Sequence, residues 1–216
     1  PYLADAADKG ITFTRLFTLF RELQTAINPY STCKPESPDY VAPFVRVGPG
    51  RALDGEPKYD LDRPNPEFFD RLHGFLSLAA DYGIIVEIVL LSNVYTPEVW
   101  GLNPLHPQNN LCGWSDIPWY ETMTRRHSHL FERQMAHVRS VVEQTNRYDN
   151  VVYEICNEPF GGFADKPNGP PVEEVDAWLN ALIQTIRDTE ATLPERHLIF
   201  GQQAYSWQPF EQGADK

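Results

Sequence analysis

Residues 151–156 read Val-Val-Tyr-Glu-Ile-Cys and are followed at once by Asn157-Glu158-Pro159. Five of the six are apolar or aromatic and three are β-branched, the pattern of a short buried strand. Pro159 has no N–H for a ladder, so the strand stops there. An amide and a carboxylate are thereby left at the carboxyl end of a buried strand. Ionised groups avoid a core unless they are paired, and parallel α/β proteins meet their ligands at that end of the strands.

Two readings of this tip follow from the residues. In one, Asn157 and Glu158 are polar strand-end residues or a helix cap. In the other, Glu158 is a general acid/base and Asn157 orients a ligand beside it.

The rest of the chain repeats the alternation that such a strand needs. Residues 2–9 are rich in Ala and end at Gly10, a helix with its stop. Residues 11–20 follow as a strand that is apolar on both faces, which predicts a parallel sheet covered on both sides. Arg15 lies inside it and needs a carboxylate partner. Glu154 is the expected one, because it shares strand parity with Glu158 and points the same way. Residues 21–65 form a long connection with turn residues, in which 40–47 could add a small strand. Pro66 opens a helix that carries Phe68, Phe69, Leu72, Phe75, Leu76 and Ala79 at helical spacing up to Gly83. Residues 84–91 are the next strand, with Glu87 inside it. A long loop spans 92–118, and a long helix covers 120–146. After the central strand and a Gly/Pro loop, Val175, Trp178, Leu179, Leu182, Ile183 and Ile186 define an amphipathic helix. Residues 197–201 form the last strand. The order α-β-α-β-α-β-α-β argues for a parallel sheet of four neighbouring strands with covering helices.

Tyr153-Glu154-Ile155-Cys156-Asn157-Glu158-Pro159 resembles the fourth-strand signature of clan A glycoside hydrolases, in particular the family 5, cellulase-type (β/α)8 barrels. The resemblance extends over nearly the whole chain. Residues 11–20 match the second family strand, with Arg15 where the family places an Arg near its catalytic carboxylates. Residues 84–91 match the third and 197–201 the fifth. The third family strand usually ends in a His; here it ends Leu91-Ser92-Asn93, so Ser92 or Asn93 stands in that place.

The resemblance implies an α/β fold, a partial TIM barrel with about its second to fifth strands in residues 1–216, one incomplete catalytic domain. It implies a retaining glycoside hydrolase acting on a β-linked oligo- or polysaccharide. Glu158 would be the acid/base, Asn157 the contact to the 2-hydroxyl of the reacting sugar, and Arg15 and Asn93 further substrate-site residues. The nucleophile is expected on the seventh family strand, outside these residues, so residues 1–216 alone are expected to be inactive and truncated at both ends. A barrel of this type without its second carboxylate would bind carbohydrate without turnover, the competing function.

Aromatic rings with nearby amides suit a sugar, whose apolar faces pack on rings while its hydroxyls need hydrogen-bond partners. Trp114, Trp119, Tyr205 and Trp207 are expected to include at least one such ring, the others anchoring loops. Neither metal nor cofactor is implied, and no His-Glu-x-x-His zinc pattern occurs.

Thirty acidic against 18 basic side chains give a net charge of −12, which argues against nucleic acid and anionic membrane surfaces as partners. No apolar run is long enough to span a membrane. No targeting signal opens the sequence, which starts at Pro1, and a secreted or periplasmic location stays open. Cys156 reads as a small buried hydrophobe. Cys33 and Cys112 fall in separate long loops, where a disulfide and two free thiols are both open.

Overall fold

The computed structural model describes residues 1–19, 23–159 and 169–202. In chain order the elements are α1 (Tyr2–Asp8), β1 (Phe13–Phe17), β2 (Phe44–Arg51), β3 (Pro57–Pro64), α2 (Pro66–Asp81), β4 (Ile85–Ser92), α3 (Pro97–Leu102), α4 (Ser128–Thr145), β5 (Val151–Asn157), α5 (Val172–Glu190) and β6 (Ile199–Phe200). Strands β1, β4, β5 and β6 make one four-stranded sheet in that spatial order. Every pairing in it is parallel. The four sequence-expected strands are therefore parallel neighbours, wound as in a TIM barrel but left open.

Helix-to-strand corners are tight, for a local reason. Gly10 and Gly83 take φ of +74° and +67° just after α1 and α2. In that conformation the N–H of Ile11 reaches the carbonyl of Ala6, and that of Ile84 the carbonyl of Ala79, each at 2.9 Å. Helix α2 starts where Asn65 accepts a hydrogen bond from the Glu67 N–H at 3.2 Å, with Pro66 at the first helical position. The strand-to-helix connections are long, and they gather at the opposite end of the sheet.

Register assigns the two faces of the sheet. Arg15 stands opposite Glu87, and Val89 opposite Glu154, which in turn stands opposite Phe200. These residues look into the barrel interior. Val86, Ile88, Leu90, Tyr153 and Ile155 have the other parity and are fully buried. The Tyr153 hydroxyl lies 2.8 Å from Thr145 Oγ1 of α4, so this second face is the one the helices cover. Helix α4 packs on α5 through Trp178, whose indole N–H donates to Gln134 Oε1 at 2.9 Å, while Gln134 Nε2 donates to the Thr122 carbonyl at 2.9 Å.

Three sequence expectations change. The first strand is shorter than residues 11–20, and Phe20 lies outside the described residues. It is also not covered on both faces: Ile11 and Phe13 are 45% and 42% exposed, because β1 is an edge strand and the interior face is open. The small strand expected at 40–47 is instead the first arm of an antiparallel hairpin, β2 with β3. The long helix begins at Ser128 rather than at 120. Thr122 and Thr124 turn their hydroxyls back onto the carbonyls of Trp119 and Glu121 at 3.0 and 2.9 Å, a local competitor to helix.

No disulfide joins Cys33 to Cys112, and Cys156 is fully buried. No helix among the described residues is long and apolar enough to cross a membrane.

Candidate active site

The tip of β5 is a backbone turn clamped from both sides. Glu158 has φ of +49°, a left-handed conformation that costs a non-glycine residue about 1–2 kcal/mol. Its N–H donates to Gln202 Oε1 at 2.9 Å, and its carbonyl accepts from Asn93 Nδ2 at 3.0 Å. The Asn93 backbone N–H also holds the Asn157 carbonyl at 3.1 Å. Residues from the ends of β4, β5 and β6 thus fix one peptide turn and leave the Glu158 side chain exposed at the rim.

Beneath it lies a charged cluster on the interior face. Arg15 Nε is 2.8 Å from Glu87 Oε2, and Arg15 Nη2 pairs with Glu154 Oε2. Nη2 also donates to Asn157 Oδ1 at 3.2 Å. The second oxygen of Glu154 accepts from Gln202 Nε2 at 2.6 Å. Burial, and behind it the negative charge of Glu154, push the Glu87 carboxyl up against the pull of Arg15. Burial opposes the charge on Arg15, but the hydrogen bond and charge of Glu154, followed by Glu87, outweigh it and raise the guanidinium further. Arg15 is therefore a fixed cation. The expected Arg15–Glu154 pair is present, and Glu87, noticed in the sequence only as a charge inside a strand, shares it.

Tyr95 closes the arrangement. Its hydroxyl donates to Glu158 Oε2 at 2.6 Å and accepts from Asn157 Nδ2 at 2.8 Å. The residue has φ of +55°, and its backbone N–H is held by Asn93 Oδ1 at 2.9 Å. The sequence reading did not single out Tyr95. Gln202 was likewise unassigned. Each signal lies in the turn geometry beyond a strand end, which periodicity does not encode.

The other candidate residues fall in different places. Asn93 is completely buried, with its side-chain amide committed to the backbone of Tyr95 and Glu158. It supports the tip and does not face an open site. Trp114 lies nearly parallel to the His129 ring of α4, interplanar angle 14°, beside a 250 Å³ cavity lined also by Glu132, Arg133 and Ala136. Trp119 stands edge-on to Tyr120 at 5.8 Å. Neither indole is brought to the Glu158 carboxylate by any contact described above. Trp100 is a loop anchor, its N–H donating to the Ile117 carbonyl at 2.8 Å. Tyr205 and Trp207 lie outside the described residues. Burial and the adjacent Glu154 push the Cys156 thiol well up, so it is not a nucleophile. Among the described residues no cluster of three His, Cys, Asp or Glu side chains could hold a metal ion.

The arrangement presents a carboxylic acid at a rim, anchored through one oxygen, beside an amide locked by a fixed cation. That is the equipment for proton transfer next to an oriented hydroxyl-bearing ligand.

The protein-family model described as Cellulase (glycosyl hydrolase family 5) matches residues 41–215. No curated protein matches the chain. Endo-glycoceramidase II from Rhodococcus sp., solved as a lactosyl-enzyme intermediate, is similar at TM-score 0.53 and 16% identity, over 93% of this chain and 43% of that one. The endo-beta-1,4-mannanase from Thermotoga petrophila is similar at TM-score 0.53 and 16% identity, over 91% of this chain and 37% of that one. The chain thus spans less than half the length of either structure, and the likeness is one of fold.

Proposed function

The chain belongs to glycosyl hydrolase family 5, the cellulase family, and from that premise we propose that the protein carrying it is a retaining glycoside hydrolase acting on a β-linked oligo- or polysaccharide. Residues 1–216 form part of its single catalytic barrel domain. The observation that carries the reading is the Glu158 carboxylate, exposed at the carboxyl end of β5 and held by the Tyr95 hydroxyl at 2.6 Å, beside an Asn157 locked by Arg15. A neighbour of the same fold was captured as a lactosyl-enzyme intermediate, the covalent type of species through which retention proceeds.

In the first step Glu158 gives its proton to the glycosidic oxygen as the bond to the anomeric carbon breaks and an enzyme carboxylate bonds that carbon. In the second, the same group takes a proton from water as the water oxygen attacks the anomeric carbon and the enzyme carboxylate leaves. Asn157 donates toward the 2-hydroxyl of the reacting sugar, a contact that strengthens as the transition state forms. Asn93 and Gln202 act on the Glu158 backbone and fix where its carboxyl group stands.

The test uses Glu158→Gln in the complete polypeptide with an activated aryl glycoside and sodium azide. The expected result is near-abolished hydrolysis, retained oligosaccharide binding, and azide rescue that yields a glycosyl azide of unchanged anomeric configuration. A rescued product of inverted configuration would make Glu158 the nucleophile instead. Binding without turnover in the parent protein would favour the non-catalytic carbohydrate-binding alternative.

A further inference from the structure

Arg15, Asn157, Tyr95 and Glu158 form a chain of hydrogen bonds whose direction is set from the Arg15 end. A guanidinium has donors and no acceptor. Its contact at 3.2 Å therefore identifies the Asn157 atom facing it as the amide oxygen. The other end of that amide is then NH2, a donor, which points at the Tyr95 hydroxyl at 2.8 Å. The hydroxyl oxygen accepts this bond, and its own hydrogen goes to Glu158 Oε2 at 2.6 Å. Because Arg15 stays ionised at any working pH, the links from Arg15 through Asn157 to Tyr95 never reverse, and Tyr95 donates to Glu158 whenever Oε2 carries no proton.

We propose that Tyr95 is a positioning residue that decides which oxygen of Glu158 carries the catalytic proton; the inference rests on Glu158 acting as the acid/base. Oε2 is an occupied acceptor, and a proton on it would face the phenolic hydrogen. The exchangeable proton is thereby confined to Oε1. Oε1 donates to the leaving glycosidic oxygen in the first step and receives a proton from water in the second, so the proton returns to the same atom in each cycle. Among the described residues, the charged groups on the interior face below this relay are Arg15, Glu87 and Glu154, with neutral Gln202 and Asn93 at the tip. Arg15 is paired with both carboxylates, so the phenol is the direct polar contact between the relay and Glu158 Oε2.

The experiment is the pH dependence of kcat/KM for Tyr95→Phe in the complete polypeptide, with a poor-leaving-group oligosaccharide and an activated aryl glycoside. Losing the hydroxyl is expected to move the alkaline limb up by about one pH unit, the equivalent of one hydrogen bond to a charged group. kcat on the oligosaccharide is expected to fall about tenfold with KM little changed, and by less on the activated substrate. If Tyr95→Phe does not fold, 3-fluorotyrosine incorporated in place of Tyr95 keeps the shape and strengthens the donor. It is expected to move the same limb downward. A limb that stays in place in either variant, or moves in the opposite sense, overturns the inference. Failure of the underlying reading is separate: it appears as an alkaline limb and a turnover that survive Glu158→Gln.

Discussion

Arg15 and Glu87 stand at matched positions on adjacent parallel strands, and the guanidinium Nε lies 2.8 Å from the Glu87 carboxylate. Arg15 also reaches up to Glu154, so one cation holds two carboxylates against the open interior of the sheet. Removing one partner of a buried pair typically costs about 3–5 kcal/mol. Arg15 is 38% exposed, so water screens part of the effect and a loss on the order of 2 kcal/mol is expected for Arg15→Met. The loss has a pH signature. Glu87 is already raised in the native protein, and without Arg15 it faces Glu154 unscreened. A carboxyl group raised on folding stabilises at low pH and loses that contribution as pH rises through its folded value. Urea titrations should therefore find Arg15→Met most destabilised at neutral pH and least near pH 4, with Glu87→Gln restoring much of the neutral loss. Equal destabilisation at both pH values would show that the charge cluster is not what Arg15 supports.

Two buried histidines give the protein a stability optimum. His137 is surrounded by Thr18, Phe44 and the Leu90 backbone, and burial pushes it down to about 4. Against an unfolded value near 6.5, it withholds roughly 3 kcal/mol from the folded state as pH falls from 6.5 through 4. His197 behaves oppositely. Burial would lower it, but the hydrogen bonds it donates to Glu190 and to the Tyr148 carbonyl, with the charge of Glu190, together raise it. Its contribution is complete below about 6.5 and is lost as pH rises through the folded value. Stability should thus peak near about pH 6.5. His137→Gln should flatten the acid arm and His197→Gln the alkaline arm, read from urea midpoints across the pH range. Unchanged slopes in both variants would contradict the assignment.

The fold was legible where local chemistry and tertiary position agree. The β5 strand, the Pro66 helix start, the Gly10 and Gly83 stops and the Arg15–Glu154 pair all follow from side-chain period, from proline and glycine backbone preferences or from the cost of an unpaired charge. The β2–β3 hairpin was half-hidden because Gly48, Pro49 and Gly50 lie inside a strand and read as a loop, and because its register shifts between Arg46 and Arg51. In the site, Glu158 and Asn157 were visible as misplaced polar residues at a strand end. Tyr95 was not, because its place depends on two left-handed backbone turns, at 95 and 158, that bring loop and strand tip together.

Asn93 offers a test of that turn. Its side chain bonds the Tyr95 N–H and the Glu158 carbonyl, and its own N–H bonds the Asn157 carbonyl. Asn93→Ala leaves buried backbone groups unpaired, at about 1–3 kcal/mol. It also frees the backbone on both sides of the Tyr95–Glu158 bond. Thermal unfolding should register the stability loss, and kcat should fall by more than tenfold with KM nearly constant. Asn93→Asp, which keeps the acceptor for Tyr95 and loses the donor to Glu158, should keep part of the stability and little of the activity. A fall confined to KM would make Asn93 a direct sugar contact after all.

The last expectation concerns residues 1–216 expressed alone, which should not hydrolyse an activated aryl glycoside although they carry Glu158. Retention needs a second carboxylate about 5–5.5 Å from the first. The interior carboxylates described beside the site are Glu87 and Glu154. Both are paired with Arg15, and the free oxygen of Glu154 is taken by Gln202. A carboxylate so engaged is a weaker nucleophile, since the Arg15 guanidinium already offsets its charge. Glu211 lies outside the described residues. Purified residues 1–216 should bind oligosaccharide weakly and turn over nothing above the Glu158→Gln background. Hydrolysis that disappears in Glu158→Gln would place the second carboxylate within these residues. Glu154→Gln would then be the first variant to make, because Glu154 and Asn157 share the same Arg15 nitrogen, Nη2.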